Sequence, residues 1–247
     1  VYVSGAIFRN GTVQLDNFYV MDAEPDPIDE GPYTIQCISS TREILYSTSF
    51  GWEAEEFFFG FAIPYPEETS TILIKKEDNI LREIHRTPNA PTVTVEYPDG
   101  GEAIDGEVEI KWRAEDLDGD DLYYSILYSH DGGENWIAEV VELNETRYTL
   151  DLSRLPGGDK CIIRVIATDG FNTDYDDSDG FFSVPDKTPQ ALITSPSEKE
   201  IYQPGEEITF QAVTYDLEDD ESTGLISEWS SSIDGILGYG GELRLTD

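Results

Sequence analysis

Apolar and polar residues alternate along most of the chain, which is the pattern of strands that bury one face. In residues 107–115 and again in residues 161–168, every second residue is apolar. The residues predicted to point inward are Val108, Ile110, Trp112, Ala114, Cys161, Ile163, Val165 and Ala167. Long segments with apolar residues three and four apart are missing from the sequence. The pattern therefore predicts an all-β protein.

Two hydrophilic stretches bounded by prolines, residues 87–91 and 185–189, interrupt this pattern and predict linkers. They divide the chain into residues 1–87, 92–184 and 190–247. Short strands separated by turn residues about every ten positions are typical of β-sandwiches. We therefore expect three tandem Ig-like antiparallel β-sandwiches, with the last one incomplete at its C-terminal end.

The second and third of these segments resemble each other at an offset of about a hundred residues, with one inserted residue. The matched positions are Pro98 with Pro196, Gly106 with Gly205, and Asp116-Leu117-Asp118 with Asp216-Leu217-Glu218. The match predicts that the two segments are repeated copies of one kind of sandwich.

Residues 92–184 resemble fibronectin type III and related Ig-like modules. The resemblance rests on a strand that ends in Trp112 and on Leu155-Pro156-Gly157 before the strand that begins at Cys161. The family usually has a tyrosine where Cys161 stands, so we expect its tyrosine corner to be lost. Cys161 and the other cysteine, Cys37, lie in apolar runs, which predicts buried unpaired thiols.

The other two segments resemble modules of secreted proteins. Residues 190–247, with the stretch YDLEDDESTGLISEWSSSIDG, resemble the PKD-like and Ig-like modules of archaeal and bacterial surface proteins. Residues 1–87 are similar to β-sandwich modules appended to secreted peptidases and cell-surface proteins. Both resemblances imply an extracellular or cell-surface location.

The net charge changes the choice of partners. With 52 acidic residues against 15 basic ones the chain carries −37, which disfavours nucleic acid and anionic lipid as partners. Apolar runs long enough to span a bilayer are also missing from the sequence, so we expect no direct membrane insertion. The negative charge favours cations as ligands. Adaptation to high salt is an alternative reason for the acidity.

Acidic residues concentrate after two strands of the second segment and at the matching place in the third. In an Ig-like topology the first two groups occupy the B–C and F–G loops, at the pole that faces the preceding linker. Like charges 4 Å apart repel by about 4 kcal/mol at an effective dielectric near 20, and calcium accepts six to eight such oxygen ligands. The alternative is that diffuse counterions offset the charge. The candidate calcium ligands are Glu115, Asp116, Asp118, Asp120, Asp121, Asp169, Asp174, Asp176, Asp177, Asp216, Glu218 and Asp219.

The stretch SHDGGENW at residues 129–136 resembles the Asp-box hairpin of sialidases. A sialidase needs several such boxes, a cluster of arginines and a tyrosine nucleophile, and this chain has one box. The physical roles of Asp131, the glycines and Trp136 are those of a turn. We therefore expect a structural hairpin and no enzyme activity.

The sequence as a whole favours non-catalytic stalk, adhesion or interaction modules of a larger prokaryotic surface protein, stiffened by calcium between domains. The expected partners are other domains of the same larger chain or other surface proteins. Two alternatives remain open, namely accessory C-terminal modules of a secreted hydrolase such as a peptidase, and a carbohydrate-binding module. The last would use Trp52, Phe58 and Tyr65 to stack on glycans, whereas alternation of Phe57, Phe59 and Phe61 favours a core.

Overall fold

The computed structural model describes residues 1–19, 24–28, 30–51, 56–197, 200–218 and 225–246. Strands make up 56% of the described residues, and a single 3₁₀ turn at Leu152–Arg154 accompanies them there. Neighbouring strands of each sheet pair in the antiparallel direction. The predicted all-β class of Ig-like sandwiches is confirmed.

The strands fall into three groups, which we call the first, second and third modules. Each sheet is built from strands of one module only among the described residues. The division of the chain at residues 1–87, 92–184 and 190–247 stays a prediction, and the three groups of strands lie within those limits.

The first module packs a three-stranded sheet, in the order β2-β1-β5, against a four-stranded sheet, in the order β4-β3-β6-β7. Its strands are β1 (Tyr2–Ile7), β2 (Val13–Leu15), β3 (Tyr33–Ser39), β4 (Ile44–Phe50), β5 (Phe57–Ala62), β6 (Thr69–Lys76) and β7 (Asn79–His85). Aromatic rings fill much of the core, with Phe50 lying 5.0 Å from Phe59 and 5.2 Å from Phe61 between ring centroids.

The second module pairs the sheet β12-β9-β8 with the sheet β11-β10-β13-β14, and β15 adds to β13. Its strands are β8 (Thr92–Tyr97), β9 (Glu107–Glu115), β10 (Tyr123–Ser129), β11 (Ile137–Leu143), β12 (Arg147–Asp151), β13 (Gly158–Thr168), β14 (Thr173–Asp177) and β15 (Phe182–Val184). The alternation predicted in β9 and β13 is confirmed, because Ile110, Trp112, Cys161 and Ile163 are all buried.

The third module has a sheet in the order β16-β17-β20 and a pair of strands, β18-β19. Its strands are β16 (Gln190–Ser195), β17 (Glu207–Tyr215), β18 (Glu228–Ser231), β19 (Gly235–Tyr239) and β20 (Glu242–Thr246). The repeat predicted from the sequence is confirmed, since β16 and β17 pair as β8 and β9 do. Trp229 is the buried hydrophobic residue of the described part of this module.

Both cysteines are free and buried, as the sequence predicts. Burial raises the pKa of the Cys37 thiol to about 11, and it also raises the pKa of Cys161. These thiols are poor nucleophiles, because the reactive thiolate is a minor species at neutral pH.

The tyrosine corner of the family is missing, as expected, but a tyrosine hydroxyl from a neighbouring strand makes a comparable hydrogen bond. Tyr128 of β10 is fully buried, and its Oη donates to the carbonyl oxygen of Pro156 at 2.6 Å and lies 3.1 Å from Sγ of Cys161. The small Cys161 side chain leaves room for this ring. The connection before β13 is therefore held by a tyrosine, although not by one at the position that the family uses.

The first and second modules share a core. Phe18, fully buried, follows β2, and its ring meets that of Phe171 from the second module edge to face at 5.8 Å. Phe171 belongs to the same buried cluster as the first module's own core residues. The Thr168 hydroxyl donates to the Phe18 carbonyl oxygen at 2.9 Å, and Asn17 donates through Nδ2 to Glu142 at 2.6 Å. Apolar packing and hydrogen bonds thus fix this junction.

We predict that Phe171→Ala destabilises the first module, although the residue belongs to the second. Removing a buried phenylalanine ring costs about 3–5 kcal/mol in the free energy of unfolding. Urea denaturation of the full chain measures the change. Phe181→Ala is the matched control, because that ring is 48% exposed and its loss is expected to stay within about 0.5 kcal/mol. Equal effects of the two substitutions would contradict a shared core.

We also predict that Tyr128→Phe lowers the free energy of unfolding by about 1–3 kcal/mol, because the Pro156 carbonyl oxygen loses a buried hydrogen bond. Thermal and urea unfolding measure this loss. Tyr97→Phe serves as the control, since Tyr97 is 38% exposed. A Tyr128→Phe protein as stable as the parent would show that this hydroxyl does not hold the connection.

Candidate metal site at the junction of the first two modules

The acidic loop after β9 winds around a single carboxylate. Oδ1 of Asp116 accepts hydrogen bonds from the backbone N–H of Asp118 at 2.8 Å and of Asp120 at 3.3 Å. Gly119 between them has φ +79, a conformation in which glycine carries no steric cost. Aspartate accepting from the backbone two residues ahead is a common way to form such turns. The local sequence therefore brings alternate aspartates together.

Three carboxylates meet in this loop. Asp116, Asp118 and Asp120 each offer an oxygen, and these atoms lie within 4.8 Å of one another. Oδ2 of Asp116 and Oδ2 of Asp120 are buried and have no hydrogen-bond partner. Two charges at that separation repel by about 3 kcal/mol at an effective dielectric near 20. The arrangement is one that a bound cation would stabilise.

The same loop is hydrogen-bonded to the linker before β8. Oδ2 of Asp118 accepts from the backbone N–H of Asn89, and Oδ1 accepts from Nδ2 of the Asn89 side chain, both at 2.8 Å. Asn89 lies in the proline-bounded stretch 87–91. The carboxylate cluster is therefore tied directly to the chain that connects the two modules.

Asp169, in the loop after β13, lies at the same pole as this cluster. Its carboxylate accepts from the backbone N–H groups of Phe171 and Asn172, and from the hydroxyl of Thr87 in the linker at 3.2 Å. Asp120 and Asp169 both line a cavity of about 270 Å³ between the modules. The prediction that the two loops face the preceding linker is confirmed for these residues.

The loop placement predicted for Asp174, Asp176 and Asp177 is wrong, because all three lie in β14. Oδ2 of Asp176 accepts from the backbone N–H of Val95 at 2.8 Å, and Asp174 accepts from that of Val93 at 3.3 Å. These two carboxylates therefore receive backbone donors from β8. Because successive side chains of a strand point to opposite faces, Asp177 lies on the other face of β14.

Asp177 forms a bidentate ion pair with Arg164, with distances of 2.6 and 2.8 Å. The guanidinium carbon of Arg164 lies 4.3 Å from the ring centroids of both Trp136 and Tyr175. The hydrogen bonds that Arg164 donates to the Asp177 carboxylate raise the pKa of Arg164. Asp177 is thus paired with the permanent positive charge of Arg164, and it does not join the carboxylate cluster.

Glu115 and Asp121 flank the cluster and are exposed, and neither belongs to the group of three. Glu115 is the last residue of β9, and its carbonyl oxygen accepts from the Thr92 hydroxyl at 3.3 Å. The structure thus gathers three of the twelve predicted ligands tightly and brings Asp169 to the same cavity.

In the third module the Glu218 carboxylate accepts hydrogen bonds from the second linker in a similar way. Oε1 of Glu218 accepts from the backbone N–H groups of Gly157 at 2.7 Å and Lys187 at 2.8 Å, while its Oε2 is buried without a partner. Burial opposes ionisation of Glu218, but hydrogen bonds from Asp216 and these two N–H groups outweigh it and lower its pKa. The Glu218 carboxylate raises the pKa of Asp216. The predicted ligand Asp219 lies outside the described residues.

The Asp-box sequence forms a turn with several hydrogen bonds among its own residues. Asp131 accepts from the Ser129 hydroxyl at 2.7 Å and from the backbone N–H of Asn135 at 3.0 Å, and Ser129 accepts from the Gly133 N–H at 2.9 Å. These hydrogen bonds hold the turn itself. Its Trp136 ring stacks on Arg164 at the surface of the sheet.

The aromatic stretch of the first module is mainly core. Phe57 and Phe61 are buried, as the predicted alternation requires, whereas Phe58 is 82% exposed. Tyr65 packs 6.2 Å from Phe171 at the junction. Trp52, the third ring of the expected glycan platform, lies outside the described residues.

Sequence reasoning missed the polar residues that complete the junction, namely Asn89, Thr87 and Asn172. Nδ2 of Asn172 lies 3.1 Å from the carbonyl oxygen of Asn89 and 3.1 Å from the hydroxyl of Thr87. The available signal was an asparagine between two prolines, Pro88 and Pro91, directly before a strand. The prolines keep this segment out of a sheet, so the asparagine side chain is available for hydrogen bonds to a neighbouring loop.

These features define the chain as a series of Ig-like and fibronectin type III-like β-sandwich modules. Neither models of known protein families nor curated protein sequences match it. Within the described residues, no helix has the length and apolar character needed to cross a membrane.

Some solved structures match the chain at low similarity. The fibronectin(III)-like modules of Clostridium thermocellum CbhA share 14% identity over 63% of this chain and 79% of theirs, with a TM-score of 0.26. The FN1–FN3 domains of chicken CNTN1 share 14% identity over 88% and 76%, with a TM-score of 0.30. The four N-terminal Ig domains of Dscam1 isoform 7.44 share 12% over 85% and 57%, also at 0.30. At these values the likeness carries no argument.

Proposed function

We propose that the chain is a non-catalytic connector and interaction part of a larger extracellular surface protein of an archaeon or bacterium. The observation that carries this proposal is that an acidic loop of each following module binds the linker before it. Asp118 holds Asn89 at the first junction, and Glu218 holds Lys187 at the second. A chain whose linkers are fixed in this way transmits position from one module to the next.

The extracellular and prokaryotic assignment draws its support from the sequence. Residues 190–247 resemble PKD-like modules of archaeal and bacterial surface proteins, and the charge of −37 suits a salty or calcium-containing medium. Other domains of the same protein or other surface proteins are the proposed partners.

Calcium is the proposed cofactor at the first junction. Asp116, Asp118 and Asp120 supply hard oxygen ligands, and two of their oxygens are buried without a hydrogen bond. Calcium takes ligands of this kind in irregular geometry and tolerates neighbouring backbone oxygens and water. When bound, it would offset most of the charge of the cluster and hold the loop in the form that is hydrogen-bonded to Asn89.

We expect calcium to raise the melting temperature of the full chain. Binding to the folded state alone stabilises by about 2.7 kcal/mol when free calcium is a hundred times the dissociation constant. Calorimetry in calcium and in chelator measures the shift. The double substitution Asp116→Asn with Asp120→Asn is expected to abolish it, because the two carboxylates that each have an oxygen without a hydrogen bond lose their charge.

Asp121→Asn is the matched control, since Asp121 is an exposed residue of the same loop outside the group of three. It is expected to keep the calcium response. A melting temperature that is the same in calcium and in chelator would remove the metal from the proposal. A shift reproduced by sodium chloride of equal ionic strength would instead favour diffuse counterions.

The connector role has a test that does not involve metal. We expect Glu218→Ala to loosen the second junction, because the N–H groups of Gly157 and Lys187 lose their acceptor. Pulsed electron paramagnetic resonance between spin labels on Glu145→Cys and Ser232→Cys measures the width of the distance distribution. The buried native thiols should not take up label.

Glu228→Ala is the control for this measurement, because Glu228 is an exposed acid of the same module. It is expected to leave the distribution as narrow as in the parent chain. A parent distribution as broad as that of Glu218→Ala would contradict a fixed linker.

A further inference from the structure

The outer face of the four-stranded sheet of the first module carries a cavity of about 490 Å³. Leu73 of β6 lines this cavity, whereas its neighbours Ile72 and Ile74 belong to the buried core cluster on the opposite face. Leu73 is nevertheless only 8% exposed, and Thr71 on the same face is 9% exposed. Side chains of the adjacent strands and of a hairpin therefore form walls around this floor.

The lining of the cavity has an excess of basic side chains. Arg42 and Arg86 both line it, together with His85, whereas Glu83 is the one acid among its described lining residues. The whole chain carries 52 acidic residues against 15 basic ones. The cavity is therefore a local site for an anion on a surface that otherwise repels anions.

Arg42 occupies a backbone position that suits glycine better. It has φ +66 in the hairpin between β3 and β4, where the backbone N–H of Ser39 donates to the carbonyl oxygen of Glu43 at 2.9 Å. A side chain is disfavoured in this left-handed conformation, and glycine is the usual residue at such a place in a three-residue hairpin loop. An arginine there indicates that its side chain has a use that offsets the strain.

The other described residues with side chains at positive φ have a visible reason for it. Glu142 has φ +58, and its carboxylate accepts from Asn17 at 2.6 Å and from the Tyr19 hydroxyl at 3.1 Å across the first junction. Glu77 has φ +53 in the two-residue turn between β6 and β7, and such turns require a positive φ at that place. The Arg42 side chain forms no hydrogen bond or ion pair with the described residues, so its guanidinium is available to a ligand.

The second arginine, Arg86, is held in a fixed orientation. Its Nε donates to the side-chain oxygen of Asn172 at 2.5 Å, and its Nη1 donates to the carbonyl oxygen of Glu67 at 3.3 Å. Nη2 has no hydrogen-bond partner among the described residues. A guanidinium that the protein already holds in place loses little further freedom when it binds an anion.

Hydroxyl groups make up much of the remaining lining. Ser70 donates to the carbonyl oxygen of Ile38 at 3.2 Å and keeps its own oxygen free to accept, while the Ser40 hydroxyl has no partner among the described residues. Nδ1 of His85 lies 3.1 Å from the Thr71 hydroxyl. A lining that combines arginines with several hydroxyls suits a ligand that carries both a negative charge and hydroxyl groups.

We propose that this cavity binds an acidic sugar, namely a uronic acid or a glycan that ends in one. Arg42 and Arg86 bind the carboxylate, because planar guanidinium groups match its two oxygens. The sugar hydroxyls pair with the serine and threonine hydroxyls, and the apolar face of the ring packs on Leu73. The many hydroxyls favour a sugar over an acidic peptide. The site depends neither on the connector role nor on calcium.

Titration of the full chain with sodium glucuronate, followed by backbone amide chemical shifts, tests the ligand class. We expect saturable shifts at residues of the cavity, with a dissociation constant below about 5 mM. Glucose, which has the ring and hydroxyls without the carboxylate, is expected to bind at least about tenfold more weakly. The buffer is stripped of divalent cations, so that calcium cannot bridge the sugar to a carboxylate of the protein.

Arg42→Gly separates recognition from folding. It removes the guanidinium and places glycine at φ +66, so we expect glucuronate to bind at least about tenfold more weakly while the melting temperature does not fall. An arginine needed for the fold alone would give the opposite result. Arg113→Gln is the control for net charge, because Arg113 is an exposed arginine of the second module that does not line the cavity. It is expected to bind glucuronate as the parent does.

Each other outcome overturns the proposal. Equal binding of glucose would show that the carboxylate is not recognised, and equal binding of acetate would show that the sugar is not. Tighter binding of an aspartate-containing peptide would assign the cavity to an acidic peptide. Equal weakening by Arg113→Gln would mean attraction to net charge, without a defined site. Unchanged shifts up to about 20 mM glucuronate would exclude a site of useful affinity.

Discussion

A β-sandwich is stable only when both inner faces are covered, and this constraint explains how the modules of this chain relate to one another. The second module meets it alone, because its two sheets close over Ile110, Trp112 and Ile163. The first module meets it with help, since Phe171 enters its core from the second. The third module leaves apolar positions of β16 and β17 in solvent. Cover is therefore most complete in the second module and least complete in the described part of the third.

The acidic residues have a second role besides carrying charge. Asp174 and Asp176 accept N–H groups of β8, and Asp26 accepts that of Ala62 at 2.7 Å. A carboxylate that accepts from a backbone donor forms a hydrogen bond stronger than that of a neutral acceptor. A chain with few basic residues therefore satisfies part of its negative charge with its own backbone, whereas one buried oxygen each of Asp116, Asp120 and Glu218 lacks a donor among the described residues.

The two junctions use the same interaction with different reinforcement. At the first, Asp118 binds the linker and the rings of Phe18 and Phe171 pack beneath it. At the second, Glu218 binds Gly157 and Lys187. Buried aromatic contact resists bending in a way that one carboxylate does not, because many contacts must break together. Calcium at the first junction would therefore act on a connection that packing already restrains.

Local pattern was enough to predict the strands, the sandwich class, the repeat between the second and third modules and the burial of both thiols. Alternation at Val108, Ile110 and Trp112 is a property of neighbouring residues, and so is the turn that gathers Asp116, Asp118 and Asp120. The fate of Asp174, Asp176 and Asp177 depended on which strand lies beside β14, and that pairing is non-local. The same holds for Tyr128, which takes over from a missing tyrosine only because β10 and β13 are neighbours, and for Phe171, whose place in another module's core no stretch of sequence contains. Alternation fixes which face of a strand is apolar, whereas the tertiary structure decides what covers that face.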